Sequence, residues 1–428
     1  MPSLTRKDHI VVVDAYSGGK YLLPAYQALG FPVIHVQSGQ IDYYAADNTV
    51  AAERAERHLP FDGDLDGLVA ALSAYSVRVL LAGSEGGVLL ADQLADRLGV
   101  PFRNQLPTSL ARRDKFVMQE RIRAAGLAAI AQARVTDAGE LDAWLDTHDA
   151  YPVVVKPLRS AATDGVHICR SRAEAQSALA VLRARPDMFG QENTAVLVQE
   201  FLDGTEYVLN GVACDGRYLF TEGWLSRKVD NAGYPVYDTQ YLFYRGDPHF
   251  EAMSSYVVEV CRALGIANGP FHAEVMLTPD GPVLIEIAAR VAGGADPYVV
   301  ETCLGHSQIR LLVEASLRPA EFWESHRERP ADRPFHRAAY VYLISPGPGR
   351  VKGVDLESFL EIDGVIRADY KYQPGDLQQM TRDLISAAGL VLVTAGDAAS
   401  LDAAVARIRT TEAEMYARYV TEETTTDE

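Results

Sequence analysis

Apolar and polar positions along this chain switch between two spacings, and the switches divide it. Short apolar runs at 9–13 and 31–36 flank a helix predicted over 19–29. A third run, VRVLLAG at 77–83, enters Ser84-Glu85-Gly86-Gly87 and then a helix over 88–98. This strand–helix alternation predicts a parallel α/β unit. Helical spacing returns over 112–126 and stops at Gly126. A buried strand at 151–157 ends in Pro157, a helix covers 171–184, and a strand follows at 195–202. Residues 205–228 alternate as a long hairpin turning at Asp215-Gly216, and 251–265 are helical. The polar, proline-bearing stretch 320–337 marks a boundary, and 338–418 again alternates strands and helices. The pattern predicts an α/β and α+β multidomain chain, divided into 1–112, 113–325 and 326–420. The last stretch, TEETTTDE at 421–428, has no apolar residue and is expected to be disordered.

One segment breaks its own pattern. FHAEVMLTPDGPVLIEIAARVAGG, 271–294, reads as two apolar strands joined at Pro279-Asp280-Gly281. A three-residue loop centred on Asp280 pairs Thr278 with Pro282, Met276 with Leu284 and Glu274 with Glu286. Two carboxylates then stand opposite each other, with Cβ atoms roughly 5 Å apart, where like charges repel. A divalent cation, Mg²⁺ or Mn²⁺, turns that repulsion into coordination and completes its shell with phosphate and water. Strict alternation puts His272, Glu274, Glu286 and Arg290 on one face. It puts Ala273, Val275, Leu277, Val283, Ile285 and Ile287 in the core. A solvated face of an edge hairpin also fits the carboxylates, although Met276 and Leu284 on that face argue against it.

Charge narrows the partners. The formal net charge of −18 argues against a nucleic-acid backbone, which needs clustered Lys and Arg. It leaves room for a nucleotide, which needs only a few placed cations. No run of eighteen apolar residues predicts a membrane span, and the start lacks the long apolar core of a signal peptide. The four cysteines are scattered and form no metal-ligand pair, so reduced thiols and a cytoplasmic location are expected.

Two further stretches carry chemistry. In VVVKPLRSAATDGVHIC, 153–169, Lys156 ends an apolar strand before a loop of small residues, Ser160 to Gly165. Small residues let backbone N–H groups approach phosphate oxygens, and Lys156 supplies a point charge. A turn with a solvent-facing lysine fits equally well. The SGGK at 17–20 is too short for a Walker loop. In VLVQEFLDGTEY, 196–207, an apolar strand meets Gln199 and Glu200, then Leu202, then Glu206. Elsewhere, Glu85 ends a buried strand where ligands gather in open α/β sheets. It suits either a substrate ammonium or the next helix's amides, and Asn104 is a weaker candidate of the same kind.

These pieces, in this order, resemble the ATP-grasp superfamily over about residues 105–315. The resemblance implies an N-terminal Rossmann-like domain, a two-lobed ATP-binding domain and a small C-terminal α+β domain. It implies that Lys115 and Lys156 hold nucleotide phosphates under the loop containing Ser160, Thr163 and Gly165. Gln199 then accepts from the adenine amino group, and the Glu200 and Leu202 backbones form the hinge. Glu206 holds the ribose, and Glu274 and Glu286 bind magnesium. The usual Glu-x-Asn pattern is broken by Ala288. The segments AGSEGGVLLADQLADRLGVPFRN, FHAEV…IEIAARVAGG and VYLISPGPGRVKGV…QPGD are most similar to the dipeptide-forming L-amino acid ligases. There the arginine matching Arg290 stabilises the reacting acyl group, as a fixed cation beside a developing oxyanion does. His272 reads as a hydrogen-bonded support behind the metal ligands or as a substrate contact. Gly293 and Gly294 leave space for a substrate side chain or serve a turn.

The expected activity is amide formation from a carboxylate and an amine through an acylphosphate, with ATP consumed to ADP. Amino acids are the expected substrates, and the resemblance allows a homodimer. Three other readings fit: loading of an amino acid onto a carrier-protein thiol, bicarbonate activation, and a nucleotide-binding protein without catalysis.

Overall fold

The protein, seen in a computed structural model, is described over residues 7–39, 44–148, 150–160, 163–187, 189–294, 296–326 and 334–422. Its first sheet is parallel, in the order Arg57–Pro60, Val33–Gln37, Asp8–Val13, Ser76–Ala82. The three predicted strands all lie in it. The strand Arg57–Pro60 and the helices Ala45–Arg54 and Leu65–Ser73 were not predicted. In the first of those helices only Ala51 is buried, so its pattern carries little apolar signal. The helix expected over 19–29 starts as a 3-10 turn, Ser17–Tyr21, and continues as Leu22–Gln27. Glycine is required there by close approach: a Cβ on Gly18 would lie 1.9 Å from the carbonyl oxygen of Ala292.

Two more sheets frame a cleft. A four-stranded antiparallel sheet runs Gln132–Val135, Val196–Glu200, Val153–Pro157, His167–Cys169. It has its own core, closed by the helices Ala138–His148 and Arg172–Arg183. Opposite it lies an eight-stranded sheet. Its order is Gly281–Ala288, Gly269–Thr278, Thr205–Cys214, Arg217–Asn231, Tyr234–Phe243, Arg337–Leu343, Gly389–Ala395, Val365–Tyr370. The largest core joins this sheet to the helices Lys115–Ala124 and Phe250–Ala263 and to the parallel sheet. Fully buried Arg112 fastens that joint, donating to Asp92 Oδ2 at 2.6 Å and to the Leu264 carbonyl at 2.8 Å.

The eight-stranded sheet runs through the boundary expected near residue 326, because Thr239 pairs with Val341. One cluster, Ala339 to Met415, packs under the helix Ala398–Tyr419, and a second crosses the boundary, joining Trp224 and Val300 to Tyr340 and Leu392. The acidic end needs a correction. Thr421 and Glu422 pair with Arg350 and Gly349, since strand pairing uses backbone groups and needs no apolar side chain. Residues 423–428 lie outside the described residues.

The hairpin 269–288 has the expected carboxylate pairing by another route. Its turn holds two residues, Pro279 and Asp280, and Thr278 pairs with Gly281. That register alone would put Glu274 opposite Ile285. A β-bulge between the pairs Glu274–Glu286 and Val275–Leu284 restores the carboxylates to opposite positions. The slip exchanges two neighbours. Leu284, expected beside the carboxylates, is fully buried in the core. Ile285, expected in the core, lines the cleft with Met276.

Candidate active site

The cleft holds two cavities that share a wall. The smaller, about 180 Å³, lies between the four-stranded sheet and the hairpin. The larger, about 560 Å³, opens toward the parallel sheet and the glycine turn at 293–294. Glu274 and Glu286 line both.

The two carboxylates differ sharply. Burial and the facing Glu286 push Glu274 up to about 8. Burial alone would raise Glu286 too, but Lys115, Lys156 and Arg290 outweigh it and hold it down to about 2. Lys115 Nζ lies 2.7 Å from Glu286 Oε2 and donates to the Ser160 carbonyl at 2.9 Å. Among the described residues no group of three or more His, Cys, Asp or Glu is arranged to hold a metal. A cation on this carboxylate pair therefore needs phosphate and water for its remaining ligands.

The smaller cavity gathers Lys115, Lys156, Ser160, Thr163, Gln199, Glu200, Leu202 and Glu206. Lys156 is buried, which with the nearby Lys115 pulls it down to about 8. Gln199 Nε2 donates to Gln132 Oε1 at 3.1 Å, while Gln132 Nε2 donates to Phe116 O and Glu120 Oε1. That chain orients the Gln199 amide. Glu200 Oε1 accepts from the Ala131 N–H at 2.7 Å, which fixes the strand end. Glu206 has two partners, Lys228 Nζ at 2.6 Å and Tyr237 Oη at 2.7 Å. Gly165 stands behind the wall. Its φ is +70°, and a Cβ there would press on Leu182 and Pro157.

In the larger cavity Glu85 is clamped by two guanidiniums. Arg113 Nη1 reaches its Oε1 at 2.7 Å and Arg290 Nε reaches its Oε2 at 3.1 Å. The cluster keeps one net positive charge, suited to an anion. His272 belongs to a polar chain. Asn210 Nδ2 donates to Glu222 Oε1, so Asn210 Oδ1 accepts from His272 Nδ1 at 2.8 Å. Burial, then Arg290, lowers His272 to about 3. It is therefore neutral, and its Nε2 lone pair lies 3.5 Å from Glu274 Oε1.

The sequence matches known families along its length. Residues 149–297 match the ATP-grasp domain and 341–411 match the L-amino acid ligase C-terminal domain 2. The chain is 50% identical over 417 residues to dapdiamide A synthase of Enterobacter agglomerans, covering 97% of this chain and 98% of that one. It belongs to the L-amino acid ligase branch of the ATP-grasp superfamily. It is an ADP-forming carboxylate–amine ligase. The L-arginine-specific L-amino acid ligase of Bacillus subtilis is 20% identical, over 63% of this chain and 64% of its own. In fold, the crystal structure of an L-amino acid ligase from Bacillus licheniformis superposes with a TM-score of 0.72 at 18% identity, covering 98% of this chain and 100% of that one.

In this ligase two predicted residues line neither cavity, Gly165 behind the wall and Asn104. Asn104 Oδ1 accepts from the N–H groups of Ala267 and Asn268, each at 2.9 Å, and holds the loop before the hairpin. Glu85 pairs with the two arginines, Arg113 and Arg290. Gly293 and Gly294 do line the larger cavity. Gly294 has φ +74° and nothing within 4 Å of a would-be Cβ, so backbone shape and open space both apply. Sequence reasoning missed Arg113, Asn210, Lys228, Tyr237 and Leu384. Only Arg113, two residues before Lys115, lay near a recognised motif. No helix among the described residues is long and apolar enough to cross a membrane.

Proposed function

We propose that the ligase binds ATP in the smaller cavity and an amino-acid carboxylate and amine in the larger. The observation that supports this most is the shared wall. Glu274 and Glu286 line both cavities, so a nucleotide's terminal phosphate and a substrate carboxylate can meet there. In this reading residues 1–112 wall the substrate side, 113–325 hold the nucleotide, and 326–420 buttress the sheet.

Lys115 and Lys156 neutralise the phosphates beneath the loop of Ser160, Thr163 and Gly165. The Gln199 oxygen accepts from the adenine amino group, because its Nε2 is already engaged. The Glu200 and Leu202 backbones line the adenine edge, and Glu206 with Lys228 meets the ribose and phosphate side. Glu274 and Glu286 would hold Mg²⁺ or Mn²⁺. The fit is chemical: Glu274 keeps its proton near neutrality until a cation offsets its neighbour. A bound cation supplies countercharge to the phosphate oxygens.

A carboxylate oxygen attacks the γ-phosphorus, the bond to the bridging oxygen breaks, and ADP leaves. The amine nitrogen then bonds to the acyl carbon and gives up a proton, the carbon's bond to the phosphorylated oxygen breaks, and phosphate departs carrying that oxygen. Arg290 stabilises the charge that gathers on the acyl oxygen, held in line by Glu85, which Arg113 grips from the other side. Neutral His272 orients Glu274. No side-chain nucleophile is needed, so positioning and electrostatics carry the rate. A screen of amino-acid pairs for ADP formation, with mass spectrometry of products, tests this. ADP release without amide from every pair would overturn it.

A further inference from the structure

Among the described residues, four line both cavities: Tyr237, Glu274, Glu286 and Leu384. Three of them stand on the strands Tyr234–Phe243, Gly269–Thr278 and Gly281–Ala288 and carry polar groups. Leu384 differs in both respects. Its side chain has no polar atom, and it comes from the loop between Leu377–Gln378 and Gly389–Ala395.

That loop is braced at several points. Ser386 Oγ donates to Asp383 Oδ1 at 2.6 Å, and the Ser386 N–H donates to the same oxygen at 2.7 Å. Lys371 Nζ donates to the Ile385 carbonyl at 2.6 Å. At the root, Asn231 Nδ2 donates to the Thr381 carbonyl at 2.8 Å, tying the loop to the central sheet. At the tip, the Leu384 N–H donates to Thr163 Oγ1 at 3.2 Å. The C-terminal part thus reaches across the cleft to the phosphate loop and sets one aliphatic side chain between the cavities.

We propose that Leu384 excludes water from the junction where the terminal phosphate and the acylphosphate react. The inference rests on the assignment of the two cavities given above. Water competes with both substrates at that junction. Its oxygen can bond to the γ-phosphorus, breaking the bond to the bridging oxygen and releasing ADP. It can also bond to the acyl carbon, breaking that carbon's bond to the phosphate oxygen and regenerating the acid. In either case the spare proton goes to solvent, and ATP is consumed with no amide made. Carboxylates and a phenol would each hold a water by hydrogen bonds. An aliphatic side chain offers none and fills the volume a water needs. The Thr163 contact couples the position of Leu384 to the phosphate loop.

The test compares the full-length wild type with Leu384→Ala, Leu384→Met and Asp383→Ala. Leu384 is half-buried in a loop, so truncation leaves the cores intact, and melting curves check this. One arm measures phosphate release from Mg·ATP alone. The other measures phosphate released per amide formed with a pool of the twenty L-amino acids. Leu384→Ala is expected to raise release from Mg·ATP alone roughly three- to tenfold, since water now reaches the phosphate. Asp383→Ala should raise it in the same direction by loosening the brace, and Leu384→Met should stay near wild type. In the pool, phosphate per amide should exceed that of the wild type only in Leu384→Ala and Asp383→Ala. Equal release from Mg·ATP by wild type and Leu384→Ala, including none from either, overturns the proposal. So does an equal rise in Leu384→Met. No amide from the wild-type pool counts against the substrates proposed above, and the Mg·ATP arm still decides the role of Leu384.

Discussion

Replacing Glu274 by Gln should stabilise the metal-free protein while abolishing turnover. A carboxyl group ordinarily releases its proton near 4.5, and burial beside Glu286 delays release here to about 8. At pH 7 the unfolded chain has lost that proton and the folded chain still holds it. At 1.36 kcal/mol per tenfold change in proton affinity, the mismatch costs the fold about 3 kcal/mol. The sign follows from the direction. A raised carboxyl contributes a stability that is complete below 4.5 and declines as pH rises toward 8. Glu286 acts in another window: its stabilisation is present above 4.5 and is lost as pH falls toward about 2. Below pH 6.5 buried Asp14, raised to about 6, adds to the decline, while His35 and His272, each lowered to about 3, oppose it by gaining stability as pH rises; between pH 6.5 and 8 the decline belongs mainly to Glu274. The assay is thermal melting in chelator from pH 6.5 to 8, repeated with Mg·ATP. Wild type should lose stability across this range and Glu274→Gln should lose much less. Mg·ATP should then favour wild type. A variant that melts below wild type at pH 8 in chelator would refute the reasoning, as would normal turnover by the variant.

Lys156→Ala should weaken ATP binding by roughly ten- to a hundredfold in calorimetry, the worth of a charge-assisted hydrogen bond. Wild-type affinity should also decline as pH rises through about 8, where Lys156 has lost half its charge. Gln199→Glu should weaken ATP binding about tenfold in the same assay, because a carboxylate cannot donate to Gln132 Oε1 and one hydrogen bond is lost. Gly294→Ala should cost about 1 kcal/mol in urea unfolding for its left-handed backbone, and Gly294→Trp should shift turnover toward smaller substrates without changing ATP affinity.

The hairpin shows how far local reading reaches. Composition placed the turn and the opposed carboxylates, because apolar alternation and Pro-Asp-Gly are local signals. It missed that the turn has two residues and that a bulge repays the offset, since both routes pair Glu274 with Glu286. The choice between them was settled by burial of Leu284 against the helix Phe250–Ala263, whose Tyr256 Oη accepts from the Leu284 N–H at 2.9 Å. Lys228 and Tyr237 were invisible for a related reason. They meet Glu206 from 22 and 31 residues away, on strands whose residues look like any exposed arm of a hairpin. Asn104 holds a neighbouring backbone, and a polar residue in a loop looks the same in sequence whether it faces a ligand or such a backbone.

The continuous eight-stranded sheet bears on how this chain can be taken apart. Truncation near residue 326 would not release a tidy module. It would uncover the flank of Tyr234–Phe243, leaving the backbone groups of Thr239 and Tyr241 without their partners Val341 and Ala339. A bare strand flank is a template for other chains. Tyr237, on that strand, lines both cavities, so an intruding strand would distort the reaction centre as well as seed aggregates. Chimaeras between relatives therefore need a junction other than the polar stretch that looks like a linker.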